Sequence, residues 1–332
     1  MCLETMMQNG RSWFVIVNPY AGSGKTMKKW TEAEELLVRK GVAFITAMPG
    51  NGANVLSLAQ AAAERGERRF ISVGGDGTAH DILHGILNFI ESSTNGVSLS
   101  DFTLAVIPIG SGNDWIRSHN IPRNLDKVTD LIASDSISRQ DVVKAQVWNT
   151  RSQTEAPSNK TYMLNVAGGA LDARICARVN FLKRQGRHGS WMYFKALLHV
   201  LMRNGNFDVV VHSDGRKIFD GSMYSVAFGT GKYSGGGMRQ TGEAVLDDGL
   251  TDMVLVPSSF IPWRVYYMYR LYTSAFAKTR GLVLARASVI DVVPKAGTHP
   301  VKVEVDGENI GTMPLRLTVL PEQINVLHNF EK

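Results

Sequence analysis

The sequence predicts an α/β domain, doubly wound around a parallel sheet, followed by an antiparallel β-sandwich domain. Three observations carry this reading. Short apolar runs alternate with helical stretches over residues 1–139. Beyond residue 140 several runs alternate apolar and polar residues in twos. "SDGR" and "VDGEN", both in the second half, carry the Asp-Gly signal of tight hairpins. The boundary therefore falls at 139/140, with 140–332 forming the second domain and its last residues free to return to the first.

In the first half, Trp13–Val17, Val42–Thr46, Phe70–Val73 and Thr103–Pro108 read as buried strands. Thr26–Lys40, Ala53–Arg65 and His80–Ile90 read as helices between them. In the last, Ile82, Leu83, Ile86, Leu87 and Ile90 fall on one face. Strand–helix alternation implies a parallel sheet covered on both faces, with ligands beyond the carboxyl ends of its strands. In the second half Val142–Trp148, Tyr162–Val166, Phe207–His212, Met223–Phe228, Asp252–Val256, Ser288–Val293, Val301–Val305 and Leu315–Leu320 read as strands. Helical stretches near Ser190–Arg203 and Pro262–Lys278 interrupt them, and Ser152–Asn159 reads as a loop.

The 332 residues suffice for two domains with substantial cores. The only cysteines, Cys2 and Cys176, suit neither a disulfide framework nor a metal spacing. No apolar run approaches the roughly 20 residues that span a bilayer, and the N-terminus lacks an apolar signal-peptide core. The expectation is a cytoplasmic protein. Its net charge of +6 is uneven: residues 1–140 hold 13 Lys/Arg and 14 Asp/Glu, leaving 23 and 16 for the remainder. Ala173–Phe207 and Phe260–Arg286 contain basic residues and no acid. Such a half is suited to an anionic surface.

"VIVNPYAGSGKT", residues 15–26, approaches the phosphate-loop pattern G-x-x-x-x-G-K-[ST]. The first glycine of that pattern falls on Pro19, which has no N–H to offer a phosphate. A turn facing a phosphate remains, without the ATPase fold. Two further strand ends carry the same chemistry: "GGDGTAHD" (Gly74–Asp81) and "PIGSGND" (Pro108–Asp114). Glycines let main-chain N–H groups approach an anion, and a following helix N-terminus favours negative charge. An aspartate among phosphate donors calls for a divalent cation, which makes Asp76 and Asp114 partners for Mg²⁺, directly or through water. Either turn alone is more simply an ordinary strand-to-helix turn with an Asp cap. Three on one sheet reverse that judgement. None satisfies G-x-G-x-x-G, which disfavours a dinucleotide dehydrogenase.

"NPYAGSGK", "GGDGTAHDIL" and "PIGSGNDWIR", in this order, resemble the diacylglycerol kinase catalytic-domain family of bacterial lipid kinases, related to sphingosine and ceramide kinases. "NVAGGALDA", "GKYSGGGM", "AVLDDGLTD" and "VDGE" continue the resemblance to about residue 325. His80-Asp81 stands where the family commonly has Asn-Glu, Ser111 where it has Thr, and Trp115 where it has Phe. The resemblance implies ATP and Mg²⁺ as cofactors. ATP would meet Asn18, Pro19, Tyr20, Ala21 and Gly22, the loop Gly74, Gly75, Asp76, Gly77, Thr78, Ala79 and His80, and Thr46, Ser111, Asn113 and Asp114. It also implies a structural cation held by the Asp248 side chain and the carbonyls of Val245 and Leu250. A tight Asp-Asp-Gly turn is able to present such oxygens, and equally to be a plain hairpin turn. In "VDGE" the resemblance favours a catalytic pair, with Glu308 as proton acceptor and Asp306 beside it. Residues two apart on an extended chain share a face; an Asp-Gly hairpin turn with an exposed Glu is the simpler alternative.

"FIPWRVYYMYRLYTSAFAKTR" interleaves aromatic and basic residues, as a peripheral surface on an anionic membrane would. The expected reaction is ATP-dependent phosphorylation of a primary hydroxyl of a membrane lipid, diacylglycerol or a relative, at the inner face of the membrane. A sphingoid-base or ceramide kinase, an NAD kinase and a non-catalytic membrane-binding nucleotide sensor are the alternatives. Nucleic acid is not an expected partner, because it leaves the glycine loops without a role. Whether the protein forms a homodimer stays open.

Overall fold

The computed structural model describes residues 12–330 except 25, 51–53, 95, 111, 151–152, 154, 172, 176–177, 179–180, 182–204 and 274. Ser111, Cys2, Cys176 and the helix expected near Ser190–Arg203 lie outside the described residues. The chain divides into two compact units: residues up to Gln140 together with those from Glu322 onward, and Asp141–Pro321.

The first unit is built on strands β1 (Trp13–Val17), β2 (Phe44–Ala47), β3 (Arg69–Gly74), β4 (Thr103–Pro108) and β5 (Ile137–Gln140). A last strand, β17 (Ile324–Leu327), inserts between β4 and β5, giving the order β2-β1-β3-β4-β17-β5. All neighbours are parallel except β17 with β5. Every side chain of β1 and of β4 is buried, which is why these strands read as unbroken apolar runs. Helices α1 (Thr26–Arg39), α2 (Val55–Glu64), α3 (Asp76–Ser92), α4 (Trp115–Ser118) and α5 (Leu125–Ala133) connect them. Asn54 starts α2 by a reciprocal cap, its Oδ1 accepting from Ser57 N at 2.8 Å while Ser57 Oγ accepts from Asn54 N at 3.1 Å. Gly85 lets α3 lie directly on α2: a Cβ there would come 2.4 Å from the Leu56 carbonyl oxygen.

The second unit holds β6 (Val143–Val147), β7 (Asn159–Met163), β8 (Val166–Gly169), β9 (Phe207–Ser213), β10 (Arg216–Gly229), β11 (Thr251–Pro257), β12 (Val283–Ala287), β13 (Val289–Pro294), β14 (Lys302–Val305), β15 (Glu308–Thr312) and β16 (Leu315–Val319). Their order is β15-β14-β8-β10-β9-β13-β16-β6-β7, with β11 on β10 and β12 on β11. All pairs are antiparallel. The 14-residue β10 passes from β9 to β8 and β11 along its length. Alternate residues such as Val209, Val211, Val226, Phe228, Ile290, Val292, Leu315 and Leu317 fill the core. Both Asp-Gly signals are hairpins, with Asp214-Gly215 and Asp306-Gly307 all at positive φ.

Two expectations change here. The strand read as Tyr162–Val166 is two strands, β7 and β8, separated at Leu164-Asn165. The helix α6 covers Ile261–Leu271, shorter than Pro262–Lys278. Among the described residues no helix is long and apolar enough to cross a membrane.

Candidate functional site

In the first unit β1, β3 and β4 are neighbours, so the loops leaving their carboxyl ends meet. Asn18 N donates to Val73 O at 3.1 Å, and Asn18 Nδ2 donates to Thr78 Oγ1 at 3.1 Å. Ile109 N and Gly110 N both donate to Gly74 O, at 2.8 and 3.1 Å. Gly22 has φ +59°, and a Cβ on it would lie 2.8 Å from Ile109 O. A Cβ on Gly110 would lie 2.6 Å from Gly75 Cα. The glycines are therefore what lets three loops share one junction, and any side chain there would drive them apart.

Asp76 opens α3, whose N-cap is Gly75, a residue with no side chain to cover the first turn. The Asp76 carboxylate reaches across to the next loop: Oδ2 accepts from Asp114 N at 2.9 Å and Oδ1 from Trp115 N at 3.4 Å. It thus fastens the start of α4 to the start of α3. Asp114 is buried and its Oδ1 lies 3.4 Å from Arg117 Nε. Asn113 holds the left-handed region (φ 51°) and donates from Nδ2 to Gly110 O at 2.8 Å. Its Oδ1 is buried and finds no hydrogen-bond partner among the described residues. A buried acceptor in that state suits a bound donor.

The remaining expected nucleotide contacts are more dispersed. Tyr20 is 85% exposed; Pro19 and Ala21 are half-buried beside it. Gly77 is exposed, Thr78 is tied to Asn18, and the Ala79 side chain points into the core. Thr46 is half-buried on β2, opposite Val15 of β1. His80 is buried and stacked on His84, one helical turn on, with ring centroids 4.3 Å apart.

Behind α4 lies a polar cluster that the sequence reading missed. Gln140 Oε1 accepts from Trp115 Nε1 at 2.8 Å and meets His119 Nε2 at 2.6 Å. The His119 Nδ1 lies 3.3 Å from Nδ1 of His328, just past β17. Burial is the main reason that the His119 pKa is lowered to about 3, partly offset by Gln140, with His328 adding to the depression. The signal available was "RQD", a polar break before an apolar run.

In the second unit Asp306 and Glu308 part company. Asp306 lies in the turn itself, at φ 48°, so the same-face argument for two residues on an extended chain does not hold. Its Oδ2 accepts from Leu164 N at 2.7 Å, and its Oδ1 from Asn165 N and Val166 N, both at 3.0 Å. Three consecutive N–H groups are spent on one carboxylate, which is why the strand breaks there. Glu304 Oε2 accepts from Gly307 N at 2.8 Å and closes the turn. Glu308 is exposed at the start of β15.

The Asp-Asp-Gly loop also differs from the cation site expected there. Asp248 Oδ1 accepts from Leu250 N at 3.1 Å, and Oδ2 pairs with Arg286 Nη2 at 3.2 Å. Val245 is exposed and Leu250 half-buried. The Asp248 carboxylate that should meet the cation already carries an N–H on one oxygen and the positive charge of Arg286 on the other, so it does not fit a directly bound cation as it stands. Among the described residues no three His, Cys, Asp or Glu side chains gather as a metal-holding group.

Residues 12–145 match the model of the diacylglycerol kinase catalytic domain, and residues 165–328 that of the YegS C-terminal NAD kinase beta sandwich-like domain. The chain belongs to the diacylglycerol kinase family. It is a lipid kinase by that membership. A Mycobacterium tuberculosis (strain CDC 1551 / Oshkosh) diacylglycerol kinase is 22% identical over 313 residues, covering 94% of this chain and 93% of that protein. A Bacillus subtilis (strain 168) protein, provisionally named the lipid kinase YtlR, is 22% identical over 322 residues, 95% of this chain and 98% of its own. A crystal structure of a diacylglycerol kinase from Bacillus anthracis str. Sterne superposes with a TM-score of 0.69 at 21% identity, covering 96% of this kinase and 97% of that chain. At that identity the likeness is one of fold.

Proposed function

We propose that this lipid kinase uses ATP with Mg²⁺ to phosphorylate a primary hydroxyl of a membrane lipid, diacylglycerol or a close relative. The observation that carries the nucleotide half is the junction of three glycine loops around Asp76, with the Asn113 Oδ1 acceptor unsatisfied beside it. Main-chain N–H groups of Gly75–Gly77 at the start of α3 suit phosphate oxygens. Asn113 Oδ1 would accept from a nucleotide hydroxyl or amine. Asp76 and Asp114 would hold Mg²⁺ through water, and the ion would supply charge neutralisation at the transferring phosphate. Glu308, exposed and lacking the backbone anchorage of Asp306, takes the acceptor's proton. Asp306 positions the turn that carries it.

The acceptor half rests on α6. Phe260, Trp263, Tyr269 and Tyr272 are exposed around this helix. Its arginines turn inward instead: Arg264 stacks on Tyr224 at 4.1 Å and donates to Ser259 O, and Arg270 donates to Thr279 Oγ1. Aromatic side chains favour the bilayer interface, while the exposed Lys278 and Arg280 suit anionic headgroups. A small apolar cavity of about 30 Å³, lined by Val254, Met268, Leu271 and Phe276, lies beneath the helix. The test is phosphate transfer from labelled ATP with Mg²⁺ to mixed micelles holding diacylglycerol, ceramide, a sphingoid base or phosphatidylglycerol, with NAD⁺ as a separate acceptor. Label in a lipid supports the reading; label only in NAD⁺ overturns it.

A further inference from the structure

Arg286 and Asp252 are direct partners across β12 and β11. The guanidinium spans two acids: Nε lies 3.1 Å from Asp252 Oδ2 and Nη2 lies 3.2 Å from Asp248 Oδ2. Nη2 also approaches the Glu243 carbonyl oxygen at 3.5 Å. One planar cation thus gathers oxygens from both ends of the loop 243–252. The other side of the loop is fixed by Asp141, whose Oδ2 accepts from Gly249 N at 2.7 Å and whose N–H donates to Leu246 O at 2.7 Å. Asp248 spends its second oxygen on Leu250 N. These are the tasks a divalent ion performs when it ties a tight acidic turn together: it screens carboxylates from each other and fixes the loop's carbonyls. Removing the guanidinium would leave Asp248 and Asp252 facing each other uncompensated.

We infer that Arg286 is a built-in replacement for a structural cation at the loop Ala244–Leu250, so that this unit folds without a divalent ion there. A fork that binds two carboxylates at fixed angles is better suited to this than a lysine. The full chain is stripped with chelator, freed of nucleotide, and analysed for bound metal by mass spectrometry. Its melting temperature is then measured in EDTA and in millimolar Mg²⁺ or Ca²⁺. The wild type is expected to hold no stoichiometric metal and to melt within about 1 °C in all three solutions. Arg286→Met is expected to melt lower in EDTA and to gain about 3 °C or more from added Mg²⁺ or Ca²⁺, because a ligand that binds only the folded state raises the melting point. Arg286→Lys should fall between. A wild type that carries one tightly held divalent ion per chain, or loses about 3 °C in EDTA, overturns the inference; this decides the matter even if Arg286→Met fails to fold. So does a folded Arg286→Met as stable as wild type in EDTA, or one that loses stability and gains nothing from either cation.

Discussion

Asp76 holds the backbone N–H of Asp114 at 2.9 Å, a contact between the loops after β3 and β4. A carboxylate with this anchor is both a candidate for the nucleotide's metal and a structural tie. Asp76→Ala removes the acceptor for Asp114 N and Trp115 N, so unfolding free energy should fall by about 1–3 kcal/mol. Turnover should fall about a hundredfold or more, since a preorganised charge beside the phosphates is lost. Denaturant titration and a lipid kinase assay check both. A variant unchanged in stability would mean that the Asp76–Asp114 contact contributes nothing to folding.

The two acids of "VDGE" should separate by readout. If Glu308 is the proton acceptor proposed above, Glu308→Gln is expected to lower kcat by about 10²–10⁴ while changing stability by less than about 0.5 kcal/mol, since the side chain is exposed. Asp306→Asn should destabilise by about 1–3 kcal/mol, because an amide offers one acceptor oxygen to three N–H donors. Chemical unfolding and steady-state kinetics on the same preparations distinguish them. Loss of kcat in a fully stable Asp306→Asn, with Glu308→Gln active, would reverse the roles.

His119 sets a pH dependence. Its folded-state pKa is about 3 against an ordinary 6.5, so the unfolded chain binds a proton that the folded chain refuses between those values. Stability from this group is therefore intact above pH 6.5 and declines as pH falls towards 3. By linkage the slope is about 1.4 kcal/mol per pH unit, or about 2 kcal/mol between pH 6.5 and 5. His119→Gln should flatten that part of the stability–pH curve, measured by urea unfolding at stepped pH. An unchanged slope would assign the dependence to other groups.

For α6 the exposed aromatics, rather than the arginines, should govern docking. Trp263→Ser with Tyr269→Ser is expected to weaken sedimentation with vesicles even at high salt, since the lost contribution is apolar. Lys278→Gln with Arg280→Gln should weaken binding only to anionic vesicles at low salt. Arg264→Gln should instead lower the melting temperature, having lost Tyr224 and Ser259 O. Vesicle binding that ignores all four surface substitutions would remove α6 from the membrane face.

Much was legible in the chain itself. Unbroken apolar runs announced β1, β3 and β4 because both faces of a parallel sheet are covered, and a period near 3.6 announced α3. The glycine loops were visible because only glycine permits such close main-chain approach, and both Asp-Gly hairpins because Asp and Gly tolerate positive φ. The short strands β5, β12, β15 and β17 were not visible. Their four or five residues carry too little pattern, and β5, β12 and β17 are held in place by backbone pairing to distant neighbours, as β17 is between β4 and β5. The inward turn of Arg264 and Arg270, the Arg286 bridge and the Asp306 clamp on Leu164–Val166 were likewise decided by tertiary structure. A charged side chain's partner depends on which strand lies beside it, and that is a property of the folded sheet rather than of local sequence.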